Sequence, residues 1–146
     1  MKKVLCRITG MLALAFLAAH TVDAQEPVLV NIPFAFTAGK MTLPAGEYRV
    51  EKAAQGSATL LIQRTDRTAA TFVTSNEVTV NRPQAQSKLI FHCYGDRYFL
   101  SQVWVAGYSH GRELLPSAKE KEQAPLARNE APNQVTIVAR LISPQR

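Results

Sequence analysis

The sequence predicts an all-β protein, and three observations support that class. Short runs of alternating apolar and polar residues recur along the chain, from residues 28–36 to residues 134–142. Clusters of turn-forming residues separate these runs. Residues 89–105 contain two aromatic-rich runs on either side of Gly95 and Asp96, which is typical of a hairpin with a tight turn. Seven or eight such strands predict a single antiparallel β-sandwich or a partly closed barrel.

The hairpin at residues 89–105 is predicted to supply the middle of the core. It holds the only tryptophan of the chain, two of its six phenylalanines and two of its four tyrosines. Large aromatic side chains contribute most when they are buried, so a hairpin this rich in them must lie against other elements.

The first strand is predicted at residues 28–36. Alternation places five apolar side chains on one face: Val28, Val30, Ile32, Phe34 and Phe36. Pro33 cannot donate a ladder hydrogen bond, so we expect an edge strand or an irregularity there. Residues 38–40 should break this strand. Pro44 and Gly46 then suit a type I turn that leads into a half-buried strand containing Tyr48.

Two further strands are predicted at residues 59–64 and 69–74, joined by a turn at residues 65–68. Residues 77–80 form either a brief strand or a continuation of the preceding one. A polar, proline-containing loop follows and leads into the central hairpin.

The composition changes after Gly107. Residues 109–116 are predicted to be irregular because they contain glycine and proline. One short helix is predicted near residues 117–124, where Ser117 and Glu120 fit a capping box. This helix has almost no apolar face and is marginal by itself. Residues 134–142 are predicted to form a closing strand that pairs with the first strand.

The N-terminal 24 residues are predicted to be a cleaved signal peptide, followed by a single β domain at residues 25–146. Lys2, Lys3 and Arg7 precede an apolar run at residues 11–19, and Ala24 provides a small side chain at the predicted cleavage site. The run is too short to span a bilayer comfortably, because a spanning helix needs about 20 apolar residues. A retained anchor is the alternative. The protein is therefore expected to be secreted or periplasmic, with no membrane span after cleavage.

Charge and cysteine content limit the classes of partner. Loss of residues 1–24 lowers the net charge from +6 to +4, and the remaining basic residues are scattered. No basic run could follow a phosphate backbone, so nucleic acid is not an expected partner. Cys93 is the only cysteine after residue 24, which excludes an internal disulfide. Its thiol is either buried, as most free cysteines are, or pairs between chains.

Four short sequence motifs resemble those of known proteins. They are NIPFAF at residues 31–36, LPAGEY at 43–48, FHCYGDRYFLS at 91–101 and GREL at 111–114. Together they resemble an uncharacterised family of small exported bacterial β-rich proteins, and the match covers most of residues 25–146. The resemblance brings no catalytic residues. The LPAGEY phrase is also similar to a turn and strand in transthyretin-like and carboxypeptidase-regulatory β-sandwich modules, which favours a sandwich.

Catalytic and metal chemistry have few candidate residues. Beyond residue 24 the chain keeps two histidines, His92 and His110, and His110 forms an H-x-x-E pair with Glu113. His92 and Cys93 would point to opposite faces of a strand, so they could not share an ion. No signature positions a nucleophilic serine, and there is no glycine-rich phosphate loop. We therefore expect no metal and no cofactor.

Five residues in and near the central hairpin are predicted to bind a ligand: Tyr94, Arg97, Tyr98, Trp104 and Arg112. The predicted function is that of an exported, non-catalytic β-module that binds a partner protein, an envelope component or a small apolar ligand. A pocket above about 300 Å3 lined by Phe and Tyr would favour the ligand-binding form. The alternative is a small hydrolase or metal-dependent enzyme that uses His92, His110 and Glu113.

Overall fold

The computed structural model describes residues 26–127 and 131–142; the predicted signal peptide, residues 1–24, lies outside them. The described chain contains eleven β-strands, one short α-helix and one 3₁₀ turn. Their bounds are β1 (Val28–Ile32), β2 (Phe36–Ala38), β3 (Met41–Leu43), β4 (Gly46–Lys52), β5 (Thr59–Arg64), β6 (Ala70–Thr79), β7 (Lys88–Tyr94), β8 (Arg97–Trp104), β9 (His110–Leu114), α1 (Ala118–Gln123), the 3₁₀ turn (Ala124–Ala127), β10 (Asn133–Val138) and β11 (Arg140–Leu141).

The strands form one hydrogen-bonded mixed sheet, which confirms the all-β class. The order is β10-β7-β8-β9-β6-β5-β4-β1-β11, and β2 joins it through a parallel contact with β8 while β3 pairs with β2. The other strand pairs are antiparallel. The two strands at the ends of this order, β10 and β11, are separated in the chain by Ala139 alone.

Strand β6 joins two halves of the sheet. Its first five residues, 70–74, pair with β5, and its last five, 75–79, pair with β9. Residues 77–79 therefore continue the preceding strand, which was one of the two alternatives predicted for residues 77–80, and the whole is one ten-residue strand. This long strand allows the β1, β4 and β5 half to continue into the β7, β8 and β9 half without a loop.

The predicted central hairpin is confirmed as β7 and β8. Tyr94 pairs with Arg97, so Gly95 and Asp96 form a two-residue turn. Gly95 has a φ of 65°, a backbone conformation that glycine adopts without the steric cost a Cβ would add. The register shifts between Ile90 and Phe91, because Ser101 on β8 has no opposite residue there.

One apolar cluster fills the inner face of the sheet. The predicted face of the first strand lies in it: Val28, Val30, Ile32 and Phe36 are buried, and Phe34 packs against them. Phe91 of β7 contacts two other aromatic rings of this cluster. Its ring centroid lies 5.1 Å from that of Phe34 and 5.5 Å from that of Phe36. Both pairs are edge-to-face, the arrangement that aromatic rings favour. The hairpin therefore supplies the middle of the core, as predicted.

The first two predicted strands differ from those observed. Strand β1 ends at Ile32, and Pro33 separates it from β2, because proline cannot continue the ladder. The predicted break at residues 38–40 is instead the tight turn of a second hairpin, formed by β2 and β3. Gly39 has a φ of 60° and makes this turn sterically accessible.

For the second half of the chain, one prediction was wrong and another was confirmed only in part. Residues 110–114 are strand β9 rather than irregular chain, because β6 and β8 pair with them from both sides. The closing segment pairs with the first strand as predicted only through β11, and its longer part, β10, pairs with β7. Only the two residues of β11 pair with β1, after an interruption at Ala139, whose N–H bonds to Ser87.

The predicted helix is present but shorter, and its capping box is only half formed. Ser117 is the N-cap, and its hydroxyl accepts the backbone N–H of Glu120 at 3.1 Å. The Glu120 carboxylate does not return to the cap; it is buried against β7. Within the described residues, no helix has the length and apolar content needed to cross a membrane.

Cys93 is half-buried rather than fully buried. It lies at the end of β7, and its thiol donates to the carbonyl of Gly95 at a distance of 3.1 Å.

Replacement of Phe91 by alanine should destabilise the fold far more than the same change at Phe72. Phe91 is 0% exposed, so Phe91→Ala removes a core ring and leaves a cavity, at a cost of about 3–5 kcal/mol. Phe72 is 66% exposed, and Phe72→Ala should change the free energy of unfolding by less than about 1 kcal/mol. Urea denaturation of both variants measures the difference, and equal losses would contradict this packing.

Candidate functional site

A groove of about 400 Å3 lies at the end of the central hairpin. We call it the hairpin groove. The β7–β8 turn, the β2–β3 hairpin and α1 form its walls. Its polar lining residues are Thr37, Thr42, Asp96, Arg97, Lys119 and Glu122. These residues come from three separate parts of the chain, and the parallel contact between β2 and β8 at Thr37 and Phe99 brings two of those parts together.

The polar wall is fixed by hydrogen bonds between the elements. The hydroxyls of Thr37 and Thr42 lie 3.2 Å apart, across the β2–β3 pair. The Lys119 ammonium of α1 donates to the Thr42 hydroxyl at 3.3 Å. Two cations, two carboxylates and two hydroxyls therefore surround one opening, an arrangement that suits a ligand with both donors and acceptors.

Aromatic side chains also line the hairpin groove. Tyr98 lines the groove and stacks on Phe34, with ring centroids 3.8 Å apart and planes 16° apart. Phe36 and Phe99 also line it and are almost fully buried. This volume and these Phe and Tyr residues meet the size and lining expected of a ligand site.

A buried carboxylate attaches α1 to the sheet beside the groove. Glu120 is 6% exposed and is the only buried residue of α1. Its Oε1 lies 2.7 Å from Nδ1 of His92 and accepts the Tyr94 hydroxyl at 3.3 Å. His92 and Tyr94 are two residues apart on β7, so their side chains share one face of the strand. Because a buried charge needs partners, this cluster fixes where a marginal helix lies.

Burial raises the pKa of the Tyr94 phenol above its ordinary value of about 10, and the negative charge of Glu120 raises it further. A negative charge on the phenol would lie in a poorly solvated place beside a carboxylate. Tyr94 therefore stays protonated at neutral pH and donates its hydrogen bond to Glu120.

The structure places the five predicted ligand-binding residues in different regions. Arg97 and Tyr98 line the hairpin groove, and Tyr94 lies in the adjacent cluster under α1. Trp104 is at the other end of β8, roughly 20 Å away at about 3.3 Å per residue. Arg112 lies on β9 and bonds the carbonyl of Ser57 at 3.3 Å.

Trp104 is a buried, packed residue and not an exposed ligand contact. It is 5% exposed, and its indole N–H donates to the Gln102 side chain at 3.0 Å. The ring lies against Gly111 so closely that a Cβ added there would be 2.6 Å from it. Aromaticity alone could not distinguish this covered tryptophan from an exposed ligand contact.

The structure does not bring His92, His110 and Glu113 together. His92 contacts Glu120, Glu113 accepts from Gln102 at 3.3 Å, and the His110 ring meets that of Tyr108. In the part of the chain that the structure describes, no group of three His, Cys, Asp or Glu side chains could hold a metal ion.

Sequence reasoning did not assign six polar residues of this region to a site: Thr37, Thr42, Asp96, Lys119, Glu120 and Glu122. The capping pattern identified Glu120 as a helix-start residue but not its contact with His92, which is 28 residues distant in the chain. The threonines were missed because the β2–β3 hairpin was not predicted. No local pattern marks Lys119, which is one of several charged residues in a row.

Comparison of the chain with protein-family models, with curated proteins and with solved structures finds no match.

Glu120→Gln should lower the pKa of Tyr94 toward its ordinary value of about 10, because it removes the adjacent negative charge. In the unchanged protein, unfolded Tyr94 loses its proton near pH 10 while the folded phenol keeps it. The free energy of unfolding therefore falls as the pH rises through that window, and Glu120→Gln should flatten the fall. Absorbance titration of tyrosinate, with Tyr94→Phe identifying the signal, measures the pKa.

The matched control is Glu122→Gln, the same change two residues further along α1. It should leave the pKa of Tyr94 where it is. Equal effects of the two substitutions would contradict a direct interaction between Glu120 and Tyr94.

Proposed function

We propose that this protein is an exported, non-catalytic β-module that binds a polar component of the cell envelope in the hairpin groove. The observation that carries this proposal is the composition of the groove: two cations, two carboxylates and two hydroxyls around about 400 Å3, with aromatic residues also in its lining. No bond-breaking chemistry is needed to explain such a set of groups. Binding is sufficient.

The lining favours a hydroxylated and charged ligand over a small apolar one. An apolar molecule would cover Arg97 and Lys119 without replacing their hydrogen bonds to water, which is costly. A glycan segment that carries amide or carboxylate groups would instead accept from these cations and donate to Asp96 and Glu122. Tyr98 adds a ring edge beside which a sugar can lie. An envelope polymer with these groups is therefore the ligand class we favour.

Export is the second part of the proposal. The basic start, the short apolar run and the small residues before Gln25 support a secretory signal at residues 1–24. We place the protein in the periplasm or outside the cell after cleavage. Such a location would give it access to envelope polymers.

We also infer that the sheet curves into a partly closed barrel. Strands β10 and β11 end the strand order but are almost consecutive in sequence. Residues from strands far apart in that order share one core cluster, among them Val28 of β1 and Leu89 of β7. A closed arrangement would also protect sheet edges that otherwise recruit other chains.

Arg97→Ala and Lys119→Ala should each weaken binding of a soluble envelope fragment about tenfold. The fragment to use is an N-acetylated disaccharide that carries a short peptide, titrated by calorimetry. Tenfold corresponds to about 1.4 kcal/mol, near the lower end of what a hydrogen bond to a charged group contributes.

Arg140→Ala is the matched control, because Arg140 is 73% exposed on β11 and does not line the hairpin groove. It should leave the affinity unchanged. The proposal fails if Arg97→Ala binds as tightly as Arg140→Ala. It also fails if a fatty acid binds the groove and the disaccharide–peptide does not.

A further inference from the structure

A second groove, of about 700 Å3, runs along the first half of β6. We call it the edge groove. Residues 39–41 of the β2–β3 turn and residues 114–118 after β9 line its other sides. Three of its apolar side chains are well exposed: Met41 at 49%, Phe72 at 66% and Leu115 at 54%. Such an apolar patch at the margin of a sheet is a feature of interaction surfaces.

The register of β6 shows which backbone groups face this groove. The N–H of Arg64 bonds to Ala69, and the N–H of Ser75 bonds to Ala58. Alternation along an antiparallel ladder then directs the N–H and C=O of Thr71 and Val73 toward β5. The corresponding groups of the intervening residues, Ala70 and Phe72, point away from β5 and toward the edge groove.

No strand in residues 26–127 or 131–142 pairs with that side of residues 70–73. Strand β9 covers the second half of β6 and ends at Leu114, opposite Ser75. The chain then leaves the sheet at Leu115 and Pro116, and proline has no N–H to offer. An unpaired strand edge with alternating donors and acceptors therefore borders an apolar groove.

We propose that the edge groove binds an extended peptide segment of a partner protein, which adds a strand to β6. The unpaired groups of Ala70 and Phe72 select an extended backbone. The exposed side chains of Met41, Phe72 and Leu115 select apolar side chains at alternate positions. Among the residues that the structure describes, Lys40 is the one charged residue that lines the groove, and it selects an acidic side chain at one end of the segment.

The same charge disfavours a second copy of this chain as the occupant. Two copies joined through β6 would bring both Lys40 ammonium groups to one interface, and no carboxylate from the described part of the chain lines the groove to neutralise them. This site is independent of the hairpin groove, so failure of either proposal leaves the other untouched.

The variant that tests strand addition is Phe72→Pro. The N–H that proline removes at residue 72 points toward the groove, so the β5–β6 ladder keeps all its hydrogen bonds. Proline is also tolerated on strand edges of this kind. Phe72→Ala is the matched control, because it removes the same ring but keeps the N–H. Circular dichroism and thermal unfolding establish that both variants are folded.

The probe is an immobilised library of capped octapeptides with apolar residues at alternate positions and either Glu or Lys at one end. We expect the wild-type protein to retain Glu-ended peptides. Phe72→Pro should lose at least tenfold in affinity for the best of them, and Phe72→Ala should lose clearly less. Lys40→Glu should reverse the preference toward Lys-ended peptides.

A measurement on the wild-type protein avoids dependence on any variant. Binding of the best peptide should slow deuterium exchange at the amides of Ala70 and Phe72, while that of Thr71, already bonded to β5, changes little. Retention of no peptide, equal binding by Phe72→Pro, or unchanged exchange at Phe72 would overturn the proposal. Sedimentation that reveals a dimer disrupted by Phe72→Pro would overturn it as well, in favour of a second copy.

Discussion

Burial of the inner face of the β7–β8 hairpin, and of both faces of β8, is the constraint on which the rest of the structure depends. Its inner face contributes Leu89 and Phe91 to the core cluster. Phe99 and Trp104 of β8 are also buried but lie outside that cluster, so the opposite face of β8 is covered too, while that of β7 is half-buried. This second layer of burial comes from Gly111 of β9 beneath the indole ring and from α1 over the end of β7. Strand pairing and aromatic packing thus reinforce one another in a chain that is predicted to be exported and to have no internal disulfide.

Much of the fold could be predicted because burial alternates along most strands. The inward face of residues 28–36, the Gly95 turn and the core position of the hairpin all follow from local pattern. Strand β9 could not be predicted in this way, because its sequence, HGREL, has no apolar alternation and its pairing comes from two distant strands. The partner of β10 was missed for a related reason: a pattern identifies a strand but not its neighbour.

The candidate site was predictable only in part. Arg97 and Tyr98 follow the hairpin turn directly, so the sequence pointed to them, and both line the hairpin groove. Glu120 was recognised for its backbone role, but its burial against His92 and Tyr94 depends on how α1 crosses the sheet. Such contacts between distant segments determine which residues form a site, and the spacing of residues within one segment does not predict them. The two grooves consequently emerge from the topology: one where β2 meets β8, the other where β9 leaves β6.

Native-state hydrogen exchange of the β7 amides tests the central claim most directly. β7 lies between β8 and β10 and carries Phe91, a fully buried ring of the core, so its amides should exchange only when the whole protein unfolds. We predict that the opening free energy at Leu89 and Phe91 equals the global free energy of unfolding measured by urea denaturation. Faster exchange at these amides than at those of β4 and β5 would contradict this claim. The hairpin would then open before the strands that we infer it stabilises.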